Sequence, residues 1–151
     1  MRRGTLLFVL VGPVVELGVG PYLLTGGFAV GDGLPGAGPV RAAGGVLLAA
    51  CLLVLADAFV RFARAGGTPS PVAPPPAPVR EGVYAVLRHP MYTATTLGFV
   101  GEAFLLRQSI LLVAAGLYAL TMAVLVRWFE EPRLRQRFGE RWRSVRGRDG
   151  V

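Results

Sequence analysis

Four apolar runs, at about residues 5–24, 42–62, 92–106 and 109–129, constrain this chain more than any other feature. A helix needs roughly 20 consecutive, mostly apolar residues to cross a bilayer, and each run comes near that length. At 53% hydrophobic residues and a mean hydropathy of +0.54, the chain is too apolar for an ordinary soluble domain of 151 residues. The expected fold is therefore all-α: a single polytopic integral membrane domain, a helical bundle of about four transmembrane helices. The third run is short, since about 15 residues at 1.5 Å each cover only some 22 Å against a hydrocarbon core of about 30 Å. It is expected to begin inside the protein or at the interface. Arg107 and Gln108 alone separate it from the fourth run, which predicts a tight antiparallel hairpin.

The formal net charge of +7 raises the possibility of a nucleic-acid partner, but the basic residues, all of them Arg, cluster at the ends of apolar runs. That is the positive-inside pattern of a membrane protein, and no nucleic-acid partner is expected. With four spans, fourteen of the 16 arginines fall on one side, among them Arg2, Arg3, Arg61, Arg64, Arg80 and Arg88, while only Arg41 and Arg107 fall on the other. Both termini and the central linker are thus expected in the cytoplasm of a multi-pass cell-membrane protein. Arg2 and Arg3 ahead of an apolar stretch resemble a signal peptide, but Glu16 interrupts that stretch and a small-x-small cleavage site is not obvious, so the first run reads as an uncleaved span. Residues 66–79 are rich in proline, which forbids helix and favours a stiff extended spacer between two helical hairpins. Cys51, the one cysteine, excludes a disulfide within the chain. No metal site is expected.

Polar residues with chemical potential gather at the ends of the last two runs. Gly82, Tyr84, Arg88, His89, Pro90 and Tyr92 precede and open the third; Glu130, Glu131 and Pro132 close the fourth, followed by Leu134, Phe138, Gly139 and Trp142. In an antiparallel hairpin the two groups reach the same membrane level, and polar groups at that depth are tolerated where they line a protected cavity.

The order Gly-x-Tyr, Arg-His-Pro-x-Tyr, apolar hairpin, Glu-Glu-x-x-Leu-x-x-x-Phe-Gly resembles the isoprenylcysteine carboxyl methyltransferase family of membrane enzymes. Pro90-Met91-Tyr92 and Glu130-Glu131-Pro132 are also similar to phosphatidylethanolamine N-methyltransferases. The resemblance covers about residues 82–142. It implies S-adenosylmethionine as cofactor, bound by Tyr84, Arg88, His89, Pro90, Tyr92, Glu130 and Glu131, and a lipophilic or lipid acceptor entering from the membrane. A guanidinium at Arg88 or the imidazole of His89 suits the cofactor's carboxylate. Glu130 or Glu131 can accept from ribose hydroxyls or the ammonium, and Tyr92 can pack on adenine.

Three carboxyl residues, Glu16, Asp57 and Glu102, lie within the spans. A carboxyl near a helix centre costs roughly 2.5 to 3.5 kcal/mol on insertion scales, so each is expected to face the bundle interior, although Asp57 is close enough to the cytoplasmic end to reach the interface. Glu102 is the deepest residue of span three with such chemistry and is a candidate to line the acceptor cavity. Arg88 and Glu102 are the expected catalytic positions, with Glu102 or the 130/131 pair taking the proton that an amine acceptor must lose. Gly98 and Gly101 allow another helix to approach closely. Purely structural readings exist: Arg88 as a topological anchor, Tyr92 as an interfacial belt residue, Glu130 and Glu131 paired with arginines of the tail. Residues 131–148 place Leu134, Phe138 and Trp142 on one stripe among arginines, which predicts a basic amphipathic helix on the membrane surface. Two rivals to a methyltransferase are an NADPH-dependent membrane reductase of related architecture and a non-catalytic membrane module.

Overall fold

In a computed structural model, the structure describes residues 11–35, 38–64, 82–87 and 89–130 together with 132 and 136, the side chains of 62, 129 and 130 excepted. The expected Pro-rich linker 66–79, the amphipathic helix 131–148, Arg88, Glu131 and the start of the first apolar run lie outside the described residues. All regular structure among those described is helical.

Helix α1 spans Val11–Leu24. Its centre, Val15–Val19, is a π-helical turn closed by the Gly20 N–H on the Val15 carbonyl. Pro21 supplies the cause, since a proline lacks the N–H that would otherwise bond the carbonyl four residues back. Helix α2, Gly38–Arg64, has 27 residues and is about 40 Å long. Helix α3 is a single turn, Val83–Val86. Helix α4 covers Pro90–Leu106 and α5 covers Ser109–Leu125, the latter continued by a second π turn, Val126–Glu130. Two stretches, Gly38–Arg61 and Ser109–Trp128, are long and apolar enough to cross a bilayer. Helix α4 has 17 residues, two more at its start than the apolar run suggests, because Pro90 occupies the first helical position behind His89. Proline suits that position, where its missing N–H would have no partner anyway.

The helices pack antiparallel in sequence order through α2, α4 and α5, with α1 laid against α4. Helices α2 and α4 cross on backbone. A Cβ on Gly44 would come within 2.6 Å of the Gly101 carbonyl oxygen and of the Leu105 nitrogen, and one on Gly101 within 2.9 Å of the Gly44 carbonyl oxygen. Gly98 makes a second close approach, to the Leu17 side chain of α1. Small residues at a crossing let helices gain dispersion contacts where no hydrophobic force drives them together. The expected role of Gly98 and Gly101 is thus observed, and Gly44 is the partner that α2 contributes.

Between α4 and α5 the chain reverses in two residues. Arg107 adopts the left-handed conformation (φ 55°, ψ 37°), and the Gln108 N–H bonds the Ala103 carbonyl at 2.9 Å. That tight reversal is the hairpin expected from the sequence. The loop after α1 folds over it: Gly31 N–H donates to Leu106 O, the Gln108 amide to Ala29 O, and Arg107 Nε to Leu34 O. Arg41 Nε donates to Leu105 O from the start of α2. The two arginines assigned to the sparsely charged side therefore cap carbonyls at one end of the bundle.

The outward surface is apolar. Leu23, Val46, Leu53, Leu117 and Leu120 are each more than 60% exposed. The interior is a thin seam of Leu17, Cys51, Leu55, Phe59, Ala94, Phe99 and Ala115. Large apolar side chains on the outside, with small residues mixed among the interior ones, suit lipid as solvent.

Candidate functional site

The end of the bundle opposite the Arg107 reversal gathers the head of α4, the single turn α3, the end of α2 and the π turn that follows α5. Phe99 and Tyr118 set the register of the hairpin, their rings 5.7 Å apart midway along α4 and α5. From that level His89 lies ten residues away and Glu130 twelve, so at 1.5 Å per residue both backbones stand about 15–18 Å along the same direction. The hairpin thus carries the His89 group and the Glu130 group to one end. The Glu130 side chain, Glu131 and Arg88 are outside what is described.

His89 caps α4. Its carbonyl accepts both the Thr93 N–H and the Thr93 hydroxyl, at 3.1 Å each. Its ring lies nearly parallel to that of Tyr92, at 14° with centroids 5.8 Å apart, and its Nε2 atom is buried. Pro90, fully buried, locks the helix start between them. Tyr84 is half-buried on α3. Beyond α5, a π turn holds Arg127, Trp128 and Glu130; Trp128 is 72% exposed, as suits a ring at a membrane interface. The described side chains at the head of α4 and on α3 thus bring one imidazole and the rings of Tyr84 and Tyr92 to this end of the bundle.

Asp57 proves to be more than an interfacial carboxylate. Both its oxygens accept from Arg61 Nε, and Oδ2 also accepts from the Val83 N–H of α3. Glu16 faces the interior as expected, and its Oε2 accepts from the Thr95 and Tyr118 hydroxyls at 3.3 Å each. One carboxyl of α1 thereby ties together α4 and α5. Glu102 is 5% exposed, and its Oε2 has no hydrogen-bond partner among the described residues. It stands four residues before the end of α4, about 20 Å along the helix from His89. The head of α4 and Glu102 are therefore brought to one helix but not to one point.

Tyr118 and Arg61 hold the Glu16 and Asp57 carboxylates, roles that their positions in apolar runs do not announce. A lone tyrosine in an apolar run signals a hydroxyl in need of a partner, which was the available clue. For Arg61, the spacing of four from Asp57 was the clue.

Residues 40–141, about two thirds of the chain, match the family model described as phospholipid methyltransferase. The match takes in α2, α4 and α5 and leaves α1 outside. No curated protein and no solved structure matches the chain. Helices fit for a bilayer, an antiparallel hairpin with polar residues at one end and this match agree: the chain belongs to the phospholipid methyltransferase family.

Proposed function

We propose that the protein is a four-span membrane enzyme, with both termini in the cytoplasm, that transfers a methyl group from S-adenosylmethionine to a lipophilic acceptor. The observation that supports this reading is that the hairpin register brings the His89–Tyr92 head of α4 and the π-turned end of α5 to the same end, inside the family-matched region. The asymmetry of arginines supports a cytoplasmic position for that end, where a water-soluble cofactor is available.

When bound, S-adenosylmethionine supplies an electrophilic methyl on a sulfonium centre. Arg88 or His89 would hold its carboxylate, Tyr84 and Tyr92 would offer ring surface and hydroxyls, Pro90 would fix the backbone of that stretch, and Glu130 or Glu131 would accept from the ribose or ammonium. The helices exclude water from the acceptor side, so catalysis is mainly positioning in a dry site. A carboxylate acceptor needs no base. An amine acceptor must give up a proton, and a Glu of the 130/131 pair stands at the end where the transfer occurs. Glu102 lines the deeper part of the acceptor path, where a long amphiphile lies along α4.

The test is to incubate membranes containing the protein with methyl-labelled S-adenosylmethionine and extract the lipids. Label in a lipid-soluble product, absent with His89→Ala, is the expected result. No transfer to any extractable acceptor by membranes that contain folded protein would contradict the proposal.

A further inference from the structure

Asp57 lies seven residues before the end of α2 and has two partners of different kinds. One is Arg61, four residues on, whose Nε meets both carboxylate oxygens at 2.9 Å. The other is the backbone N–H of Val83 at 3.2 Å, from a residue 26 positions later. A carboxylate serving only to anchor a helix end needs Arg61 and nothing more; the bond to Val83 attaches a different segment. Val83 opens α3, a turn of four residues, and its N–H, which precedes the bonds the turn makes within itself, donates to the anionic Asp57.

Arg61 closes the same segment from the other side. A Cβ on Gly82 would overlap Arg61 Nε and Cζ, and Gly82 takes φ 60°, ψ −130°, a conformation that side chains do not tolerate. The backbone angle therefore calls for glycine at 82, and a side chain there would also displace the Arg61 guanidinium lying against it. Gly82 and Val83 lead directly through Tyr84 to His89, while Pro90 seats the far end of that stretch in the bundle. The path from the linker to the head of α4 is thus held at both ends, and Asp57 with Arg61 forms one of the two holds.

We infer that Asp57, acting with Arg61 on Gly82 and Val83, is a positioning residue for the methyl-donor site; the inference rests on the function proposed above. It places Tyr84 and His89 relative to the helices and touches neither donor nor acceptor.

The full-length protein in detergent tests this through steady-state kinetics with labelled S-adenosylmethionine and membrane lipid as acceptor, alongside hydrogen exchange of residues 82–87. Asp57→Ala should raise the donor KM by about ten- to a hundredfold, the scale of a displaced binding group. Acceptor KM should stay unchanged, and exchange at 82–87 should quicken without donor present. Asp57→Asn, which keeps one oxygen for the Val83 N–H, should fall between it and the wild type, and Gly82→Ala should reproduce the donor defect. Should Asp57→Ala not fold, Asp57→Asn and Gly82→Ala decide the matter. An unaltered donor KM, or donor and acceptor KM rising together, would overturn the inference while leaving the proposed function standing. A wild-type protein that binds no donor yet shows faster exchange in Asp57→Ala would place the failure in the proposed function, and with it the donor role of the clamp.

Discussion

Glu16 and Glu102 are both carboxyl residues within apolar helices of one bundle, yet only Glu16 is matched to hydroxyl donors, from Thr95 and Tyr118. Glu16→Ala should therefore lower stability by about 1–3 kcal/mol, because it removes the carboxyl that accepts from a buried threonine and a half-buried tyrosine hydroxyl. Glu16→Gln keeps an acceptor oxygen and should lose less. Thermal unfolding in detergent checks both, and an alanine variant as stable as the wild type would show that these bonds carry no stability. Glu102, buried with Oε2 unmatched among the described residues, is instead expected to act on the acceptor. Glu102→Gln should change acceptor KM several-fold and leave donor KM alone; the reverse pattern would remove it from the acceptor path. That these carboxyls face inward was legible from the expense of charge in hydrocarbon. Their partners were not, because a run that is apolar on every face carries no periodic signal to say which way each residue points.

At the scale of elements, the α2–α4 crossing brings two helix backbones into close contact at Gly44 and Gly101. Gly44→Ala would drive a methyl onto the backbone of Gly101 and Leu105, which cannot give way as a side chain does. It should destabilise by about 1–3 kcal/mol, the range for overpacking. Gly98→Ala meets only the end of the Leu17 side chain, at 2.9 Å, and the better helix propensity of alanine, by up to about 1 kcal/mol, should leave it near neutral. Comparing the two denaturation midpoints in one detergent is the check, and equal losses would contradict the difference in contacts. Gly98 and Gly101 were legible as approach points because two small residues lie within a turn of each other. Gly44 was not singled out among the many small residues of α2. The two-residue hairpin at Arg107 and Gln108 was equally plain, since nothing else fits between two apolar runs. The single turn α3 and the two π turns had no such signal: four or five residues are too few to show a period, although Pro21 explains one of the π turns once it is seen.

For the whole molecule, the arrangement places the loop after α1 and the Arg107 reversal at one end, and the end of α2 with the head of α4 at the other. Impermeant thiol reagents can read which end faces which compartment. In a Cys51→Ala background, Asp32→Cys should be labelled on intact cells and Arg64→Cys only after permeabilisation; the opposite result would invert the proposed orientation. The family was legible in the order of Arg88, His89, Pro90 and Tyr92 before the hairpin and Glu130 and Glu131 after it, while the arginine distribution gives the orientation that this labelling tests. The acceptor was not readable, for a lipophilic path is made of the same side chains as the lipid-facing surface. The central claim, that this end of the hairpin holds a methyl donor, is tested most directly by calorimetric titration of the purified protein with S-adenosylmethionine and, separately, with NADPH. The account predicts saturable binding of S-adenosylmethionine, weakened about tenfold or more in His89→Ala as a charge-assisted bond is lost, and no binding of NADPH. Binding of NADPH without S-adenosylmethionine, or of neither, would contradict it.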